Sequence, residues 1–315
     1  MELKIWNYKN RERILLFGLA FFLLLCLMRN FRYNYFELSG FANAYKGSPL
    51  YYIRFLIFIP NMIGLIYPQM WFILLGFFAM DFVLLIEYLE RSNFSRDRAL
   101  LGGFLFLLSP PVFYSSQPNY YLGMNMEDSI VLCCVLIALI IYKQNIKKAI
   151  ILSFLLIPIK ETILLLISSI YLIENFDIHK IKISLKNIVH KKYFKLLVVL
   201  IAIYIAIRIT LNIILETQQG LWESGSFVYI FQNYNTIKQY LFNYIWTLIL
   251  GFGVLWLAFI PIILKPKYRE LLLILLTNFA IIFIIGVIFE INKIWILTPL
   301  LYEPFFELLS SKSKT

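Results

Sequence analysis

Ala149 to Ile173 reads AIILSFLLIPIKETILLLISSIYLI, two apolar runs separated by the Pro-Ile-Lys-Glu step at Pro158 to Glu161. Hydrocarbon does not accept an ammonium and a carboxylate without a partner or water, so Lys160 and Glu161 are expected to be buried together or to face an aqueous recess. As one helix the 25 residues would reach about 37 Å at ~1.5 Å per residue, with both charges at mid-depth. As a hairpin, each arm would reach only about 17 Å, and the charged turn would stay below the far surface.

The flanking charges choose between these geometries. Lys143, Lys147 and Lys148 precede the stretch, and Lys180, Lys182, Lys186, Lys191, Lys192 and Lys195 follow it. A single crossing would put one basic group on the outer side, against the excess of Lys and Arg in cytoplasmic loops. The sequence therefore predicts a hairpin whose turn opens outward.

The rest of the chain reads as membrane protein. Of its 315 residues 61% are hydrophobic, 18% aromatic and only 15% charged, whereas soluble domains carry about 25% charged residues. The expected fold is all-α, a polytopic integral membrane bundle in the cell membrane, forming one domain over residues 1–315 with no repeat or linker to divide it. A net charge of +11 could suggest nucleic acid. The cations, however, sit in short clusters between apolar runs, as cytoplasmic loops do, and nucleic acid is not an expected partner. Cys26, Cys133 and Cys134 lie within apolar runs without metal-ligand spacing and read as packing residues. His179 and His190 fall in the basic loop after the hairpin, so no intramembrane pair is available to ligate haem, and intramembrane zinc is not expected either.

In order, Ile14 to Met28 is expected to run outward as an uncleaved first span, leading to a polar loop that contains Glu37. YYIRFLIFIPNMIGLIYP, interrupted by Arg54, Pro60 and Asn61, reads as an interfacial or re-entrant helix. Trp71 to Tyr88 returns inward, Ala99 to Val112 goes out, and Ser129 to Tyr142 comes in after an outer segment closing on Glu127-Asp128. Beyond the hairpin, Phe194 to Ile214, Leu241 to Leu264, Leu271 to Phe289 and Trp295 to Leu309 alternate across the membrane. Hairpin arms included, this gives about ten membrane helices with both termini cytoplasmic.

Most of the costly charges map to the outer half: Glu37, Arg54, Glu127, Asp128, Lys160, Glu161, Arg208, Glu290 and Lys293. Cations at that level can hold a lipid phosphate while a carboxylate takes the proton of an acceptor hydroxyl. Charges at helix ends also commonly just reach water; the recess makes Lys160 and Glu161 the exceptions. Asp81, expected to be buried on the inner side of its span, reads either as a helix–helix hydrogen bond or as part of a proton or ion path.

This layout resembles the GT-C class of polytopic glycosyltransferases and their prokaryotic relatives. The resemblance rests on a first span leading to an acidic outer loop, FELSGFANAYKGSPLYY with Glu37, then the interfacial YYIRFLIFIP. It continues in MEDSIVLCCVLIALIIYKQNIKKAIILSFLLIPIKE, an acidic residue, span, basic loop and short span, and covers roughly residues 31–173, with an echo in FEINKIWILTPLL. In that class the first-loop catalytic residue is usually aspartate, often in an acidic pair; here it is a lone glutamate. The resemblance implies transfer of a sugar from a polyprenyl-phosphate donor to an acceptor on the outer face. Glu37 would be the base and Arg54 and Lys160 would sit on the phosphate; the outer-half placement adds Glu127, Asp128, Glu161 and Glu290 to the expected substrate-binding set. A divalent metal is compatible with that chemistry.

Two other classes stay open at this level. A non-catalytic membrane subunit that anchors or assembles a larger complex, such as a respiratory cytochrome complex, is consistent with the absence of haem-ligating histidines, because partner subunits would carry the redox centres. A transporter would add internal pseudo-symmetry to discontinuous helices, and the sequence offers only the latter.

Overall fold

The computed structural model describes residues 8–27, 67–109, 126–160, 162–175, 192–214, 252–285 and 295–311, with the isolated positions 112, 234 and 249. These residues form helices and the turns between them, with no strand among them. The α-helices are α1 (Tyr8–Leu27), α2 (Tyr67–Arg91), α3 (Arg96–Leu107), α4 (Met126–Tyr142), α5 (Ile146–Leu155), α6 (Thr162–Asn175), α7 (Phe194–Ile214), α8 (Phe259–Leu264), α9 (Arg269–Ile285) and α10 (Tyr302–Ser311). Glu37, Arg54, Glu161 and Glu290 lie outside the described residues, as does the side chain of Glu127.

α2 is the hub, packing on α1, α3 and α4. Phe78, Ala79, Asp81 and Phe82 are completely buried on it. Its segment Phe72–Arg91 is, among the described residues, the one helix long and apolar enough to cross a membrane; Asp128–Tyr142, Thr162–Asn175, Phe194–Ile207 and Gly253–Leu264 are shorter apolar helices. A tight turn joins α2 to α3, with Asn93 at φ 66°, a left-handed conformation that asparagine tolerates better than most residues. α3 then returns along α2 at very short range. A Cβ on Gly103 would lie 2.7 Å from the Phe82 ring and 2.9 Å from Ile86 Cγ1, and one on Gly102 would lie 2.5 Å from Leu89 Cδ1. Two adjacent residues without side chains are what let these helices touch.

The stretch from Ala149 to Ile173 does fold back. α5 starts under an Asn145 cap whose side chain accepts from the Lys148 amide at 3.0 Å. It stops at Leu155, three residues before Pro158, which has no N–H to continue the ladder. The Leu156 carbonyl then accepts from both Ile159 (2.9 Å) and Lys160 (3.1 Å), closing the turn, and the Lys160 carbonyl accepts from Ile163 at the start of α6. α6 packs back on α5 and α4. At its end Tyr142 Oη donates to Glu174 Oε2 at 2.6 Å, which brings the last turn of α6 to the residue where α4 stops.

The C-terminal segment differs from the single span expected between Trp295 and Leu309. It consists of a turn, a 3₁₀ helix over Thr298–Leu301 with Pro299 near its start, and then α10, whose first turn accommodates Pro304 because its missing N–H has no intrahelical partner there. Trp295 stacks on Phe106 at 6.2 Å, Tyr302 lies against Gly102, and Phe306 meets Phe94 at 5.4 Å, so the segment runs antiparallel to α3. Likewise, the described end of the Leu241 to Leu264 segment is a 3₁₀ helix, Gly253–Ala258, followed by the six-residue α8, with Gly253 at φ 52° where the chain enters.

Candidate functional site

Ion pairs collect at one end of the bundle. Arg13 of α1 and Arg91 of α2 both bind Glu87, Arg91 through Nε at 2.5 Å. Arg96, opening α3, binds Glu90 at 2.5 Å and Glu12. Lys143, just after α4, donates to Ser92 Oγ and lies 4.8 Å from the centre of the Tyr88 ring. Tyr193, ahead of α7, donates its amide to Tyr171 Oη at 3.1 Å. Lys265, Lys267 and Tyr268 converge on Glu307 of α10. Glu307 lies beyond Phe306, which is level with Phe94 in the α2–α3 connection, and thus at the height of the loops. Burial opposes its charge, but hydrogen bonds from Lys265, Lys267 and Tyr268 outweigh it and hold its carboxyl down at about 2.

The opposite end is different. Among the described residues four buried side-chain polar atoms have no hydrogen-bond partner: Asp81 Oδ1, Ser109 Oγ, Thr162 Oγ1 and Trp295 Nε1. Chain direction places all four away from the ionic end. Ser109 follows the far end of α3, Thr162 opens α6, Trp295 stacks near the end of α3, and Asp81 is ten residues, about 15 Å of helix, from Arg91. Buried polar groups are normally satisfied, so these exceptions, from mid-helix at Asp81 to the far end at Ser109, Thr162 and Trp295, mark places where a polar ligand or water belongs.

Two of the sequence-predicted residues with described side chains fall at this far end. Lys160 is 9% exposed at the non-helical step between α5 and α6, and Asp128 is 3% exposed in the first turn of α4. Glu127 occupies the helical position beside Asp128. The predicted convergence of Glu37, Arg54, Lys160 and Glu161 involves three residues outside the described ones. Asp81 is reached by Ser129 Oγ, which donates to Oδ2 at 2.5 Å, so it is level with the start of α4 and joined to the layer of Asp128. The plain reading of Asp81, a helix–helix hydrogen bond, is met on one oxygen only. Ser129, Ser109 and Thr162 carry no signal in the sequence, and Trp295, whose place at a span end predicts an interfacial belt residue, is instead 1% exposed; no pattern of spacing marks a hydroxyl or an indole that packing leaves without a partner.

Cys133 and Cys134 are buried free thiols, and Cys133 Sγ donates to the Phe77 carbonyl at 3.7 Å, as packing residues do. Among the described residues no group of three or more His, Cys, Asp or Glu side chains is placed to hold a metal ion. No family model, curated protein or solved structure matches the chain.

Proposed function

We propose that this chain is a multi-pass protein of the cell membrane, with the ionic end facing the cytoplasm, Asp81 near mid-depth, and Asp128, Lys160 and Thr162 toward the outer side. The observation that carries this reading is an inverted surface. Ile14, Leu15 and Phe22 on α1, Leu101 and Leu108 around α3, Ile203, Ile207 and Ile213 on α7, and Ile263 and Leu264 on α8 are all exposed, while Asp81, Asp128 and Lys160 are buried. Water disfavours that distribution and hydrocarbon favours it.

Within that frame the activity is transfer of a sugar from a polyprenyl-phosphate donor to an acceptor on the outer face, the chemistry implied by the resemblance to GT-C enzymes. The Lys160 ammonium, held at the hairpin turn, offers a phosphate-binding charge. Asp128 supplies a carboxylate in the same half, and Glu37 is the proposed base. In mechanistic terms, Glu37 takes the proton of the acceptor hydroxyl as the new glycosidic bond forms, and the polyprenyl phosphate leaves with the bonding pair, its charge met by Lys160 and Arg54.

The test is transfer of labelled sugar from a polyprenyl-phosphate donor by vesicles containing the full chain. Glu37→Gln and Lys160→Gln should each lower turnover at least tenfold without changing the amount of protein in the membrane. A chain that retains transfer in both variants is not this enzyme. One with no transfer activity that co-purifies with stoichiometric membrane partners is an assembly subunit instead.

A further inference from the structure

A groove of about 480 Å³ runs between α1, α2 and α4 on the outside of the bundle. Its walls are apolar, with Phe17 from α1, Met80 from α2 and Ile137 from α4, and one end is closed by Arg13, Glu87 and Arg91. The side chains of Arg13 and Arg91 are 37% and 36% exposed while that of Glu87 is 9% exposed, so the carboxylate lies behind two outward guanidinium groups. Two cations on one carboxylate leave a surplus positive charge at the mouth. The nearby Glu12 and Glu90 are both engaged by Arg96, and none of these three lines the groove.

We propose that this groove binds an anionic phospholipid of the inner leaflet, with one acyl chain along Phe17, Met80 and Ile137 and the phosphate on Arg13 and Arg91. The proposal rests on the membrane orientation given above. Two dimensions fit it. Met80 to Arg91 spans eleven residues of α2, about 16 Å at ~1.5 Å per residue, close to half of a hydrocarbon core of ~30 Å. The arginines therefore sit at headgroup level when the apolar part fills one leaflet. Chemistry fits as well: guanidinium pairs with phosphate oxygens through parallel N–H donors, and the cytoplasmic leaflet is the one that carries anionic lipid. A free phosphate ion would use the arginines and leave the apolar walls without a role. The long apolar channel points to a lipid.

The experiment uses the full chain purified in detergent and exposed to equimolar phosphatidylglycerol and phosphatidylcholine, with bound lipid measured by native mass spectrometry. The wild type should retain phosphatidylglycerol at least fivefold over phosphatidylcholine. R13Q/R91Q should erase that preference, whereas R13K/R91K should keep most of it. Ile137→Trp, which fills the groove at an exposed position and leaves the ion pairs intact, should reduce retention of phosphatidylglycerol at least fivefold. Equal retention of both lipids by the wild type overturns the proposal. So does displacement of the lipid by millimolar inorganic phosphate together with an unaffected Ile137→Trp variant, because the site is then a simple anion site. Release of the chain from native membranes by alkaline carbonate overturns the membrane reading itself, an outcome distinct from a membrane-embedded chain without lipid preference.

Discussion

Tyr142 Oη donates to Glu174 Oε2 at 2.6 Å, joining the last residue of α4 to the last turn of α6 across 32 residues of sequence. One hydrogen bond therefore ties the outgoing and returning ends of the α5–α6 hairpin. It puts the cations of the α4–α5 turn at the same end as Lys192, since Tyr193 in turn meets Tyr171, one turn of helix before Glu174.

Tyr142→Phe removes this donor and leaves the ring in place. Glu174 keeps access to water, so the loss should be near that of an ordinary hydrogen bond, about 1 kcal/mol. A thermal melt of the purified protein in detergent should show a drop of a few degrees; an unchanged melt would mean that the hairpin is closed by packing alone.

Gly103→Val should be much more disruptive. Its Cβ would lie 2.7 Å from a ring carbon of Phe82, a side chain with no exposed surface, so the α2–α3 pair must separate. Overpacking of this kind costs about 1–3 kcal/mol. Gly76→Val, on the same hub helix but with nothing within 4 Å of its Cβ, is the control and should melt within about a degree of the wild type.

Ser129→Ala tests the polar layer. It removes the hydrogen bond to Asp81 Oδ2 at a site with no solvent exposure, where Oδ1 already has no partner among the described residues. Leaving a buried acceptor unsatisfied costs about 1–3 kcal/mol, whereas replacing both partners with apolar groups comes close to neutral. The double variant Ser129→Ala/Asp81→Leu should therefore be more stable than Ser129→Ala alone. If Asp81→Leu also abolishes sugar transfer while restoring stability, Asp81 serves function rather than folding.

Acid should weaken the docking of α10. Glu307 titrates at about 2 in the folded chain against an ordinary value of 4.5, so its contribution is fully present above pH 4.5 and is lost as pH falls from there toward 2. Thermal stability of the wild type should decline across that window. Glu307→Gln should start lower at neutral pH and show a shallower decline over the same range; parallel pH profiles would exclude Glu307 as the group responsible.

Much of this arrangement could be read in the sequence, for physical reasons that also explain the gaps. Pro158 removes an amide from the ladder, and basic clusters on both flanks demand a common side, so the hairpin was visible before any coordinates. The bounds of α7 and the position of α2 follow from apolar runs for the same reason. Hydropathy, however, reports only that a segment avoids water, not which neighbour it meets. The Gly102-Gly103 contact with Leu89, Phe82 and Ile86 and the grouping of Arg13, Arg91 and Glu87 at a groove depend on that pairing. The continuous apolar content of the C-terminal segment predicts one span; the structure opens it with a 3₁₀ turn at Thr298–Leu301 before α10 begins. Of the proposed substrate-binding set, Asp128 and Lys160 are seen to be buried, and the geometry linking them to Glu37, Arg54, Glu161 and Glu290 lies beyond the described residues.

The most direct test of the fold-back is sidedness. Single cysteines introduced as Lys147→Cys, Lys195→Cys and Leu108→Cys in the full chain, in sealed vesicles of known orientation, can be probed with a membrane-impermeant maleimide. The account predicts that positions 147 and 195 label only from the cytoplasmic face and position 108 only from the outer face. Labelling of 147 and 195 from opposite faces would contradict it, because residues 149–173 would then cross the membrane as a single rod.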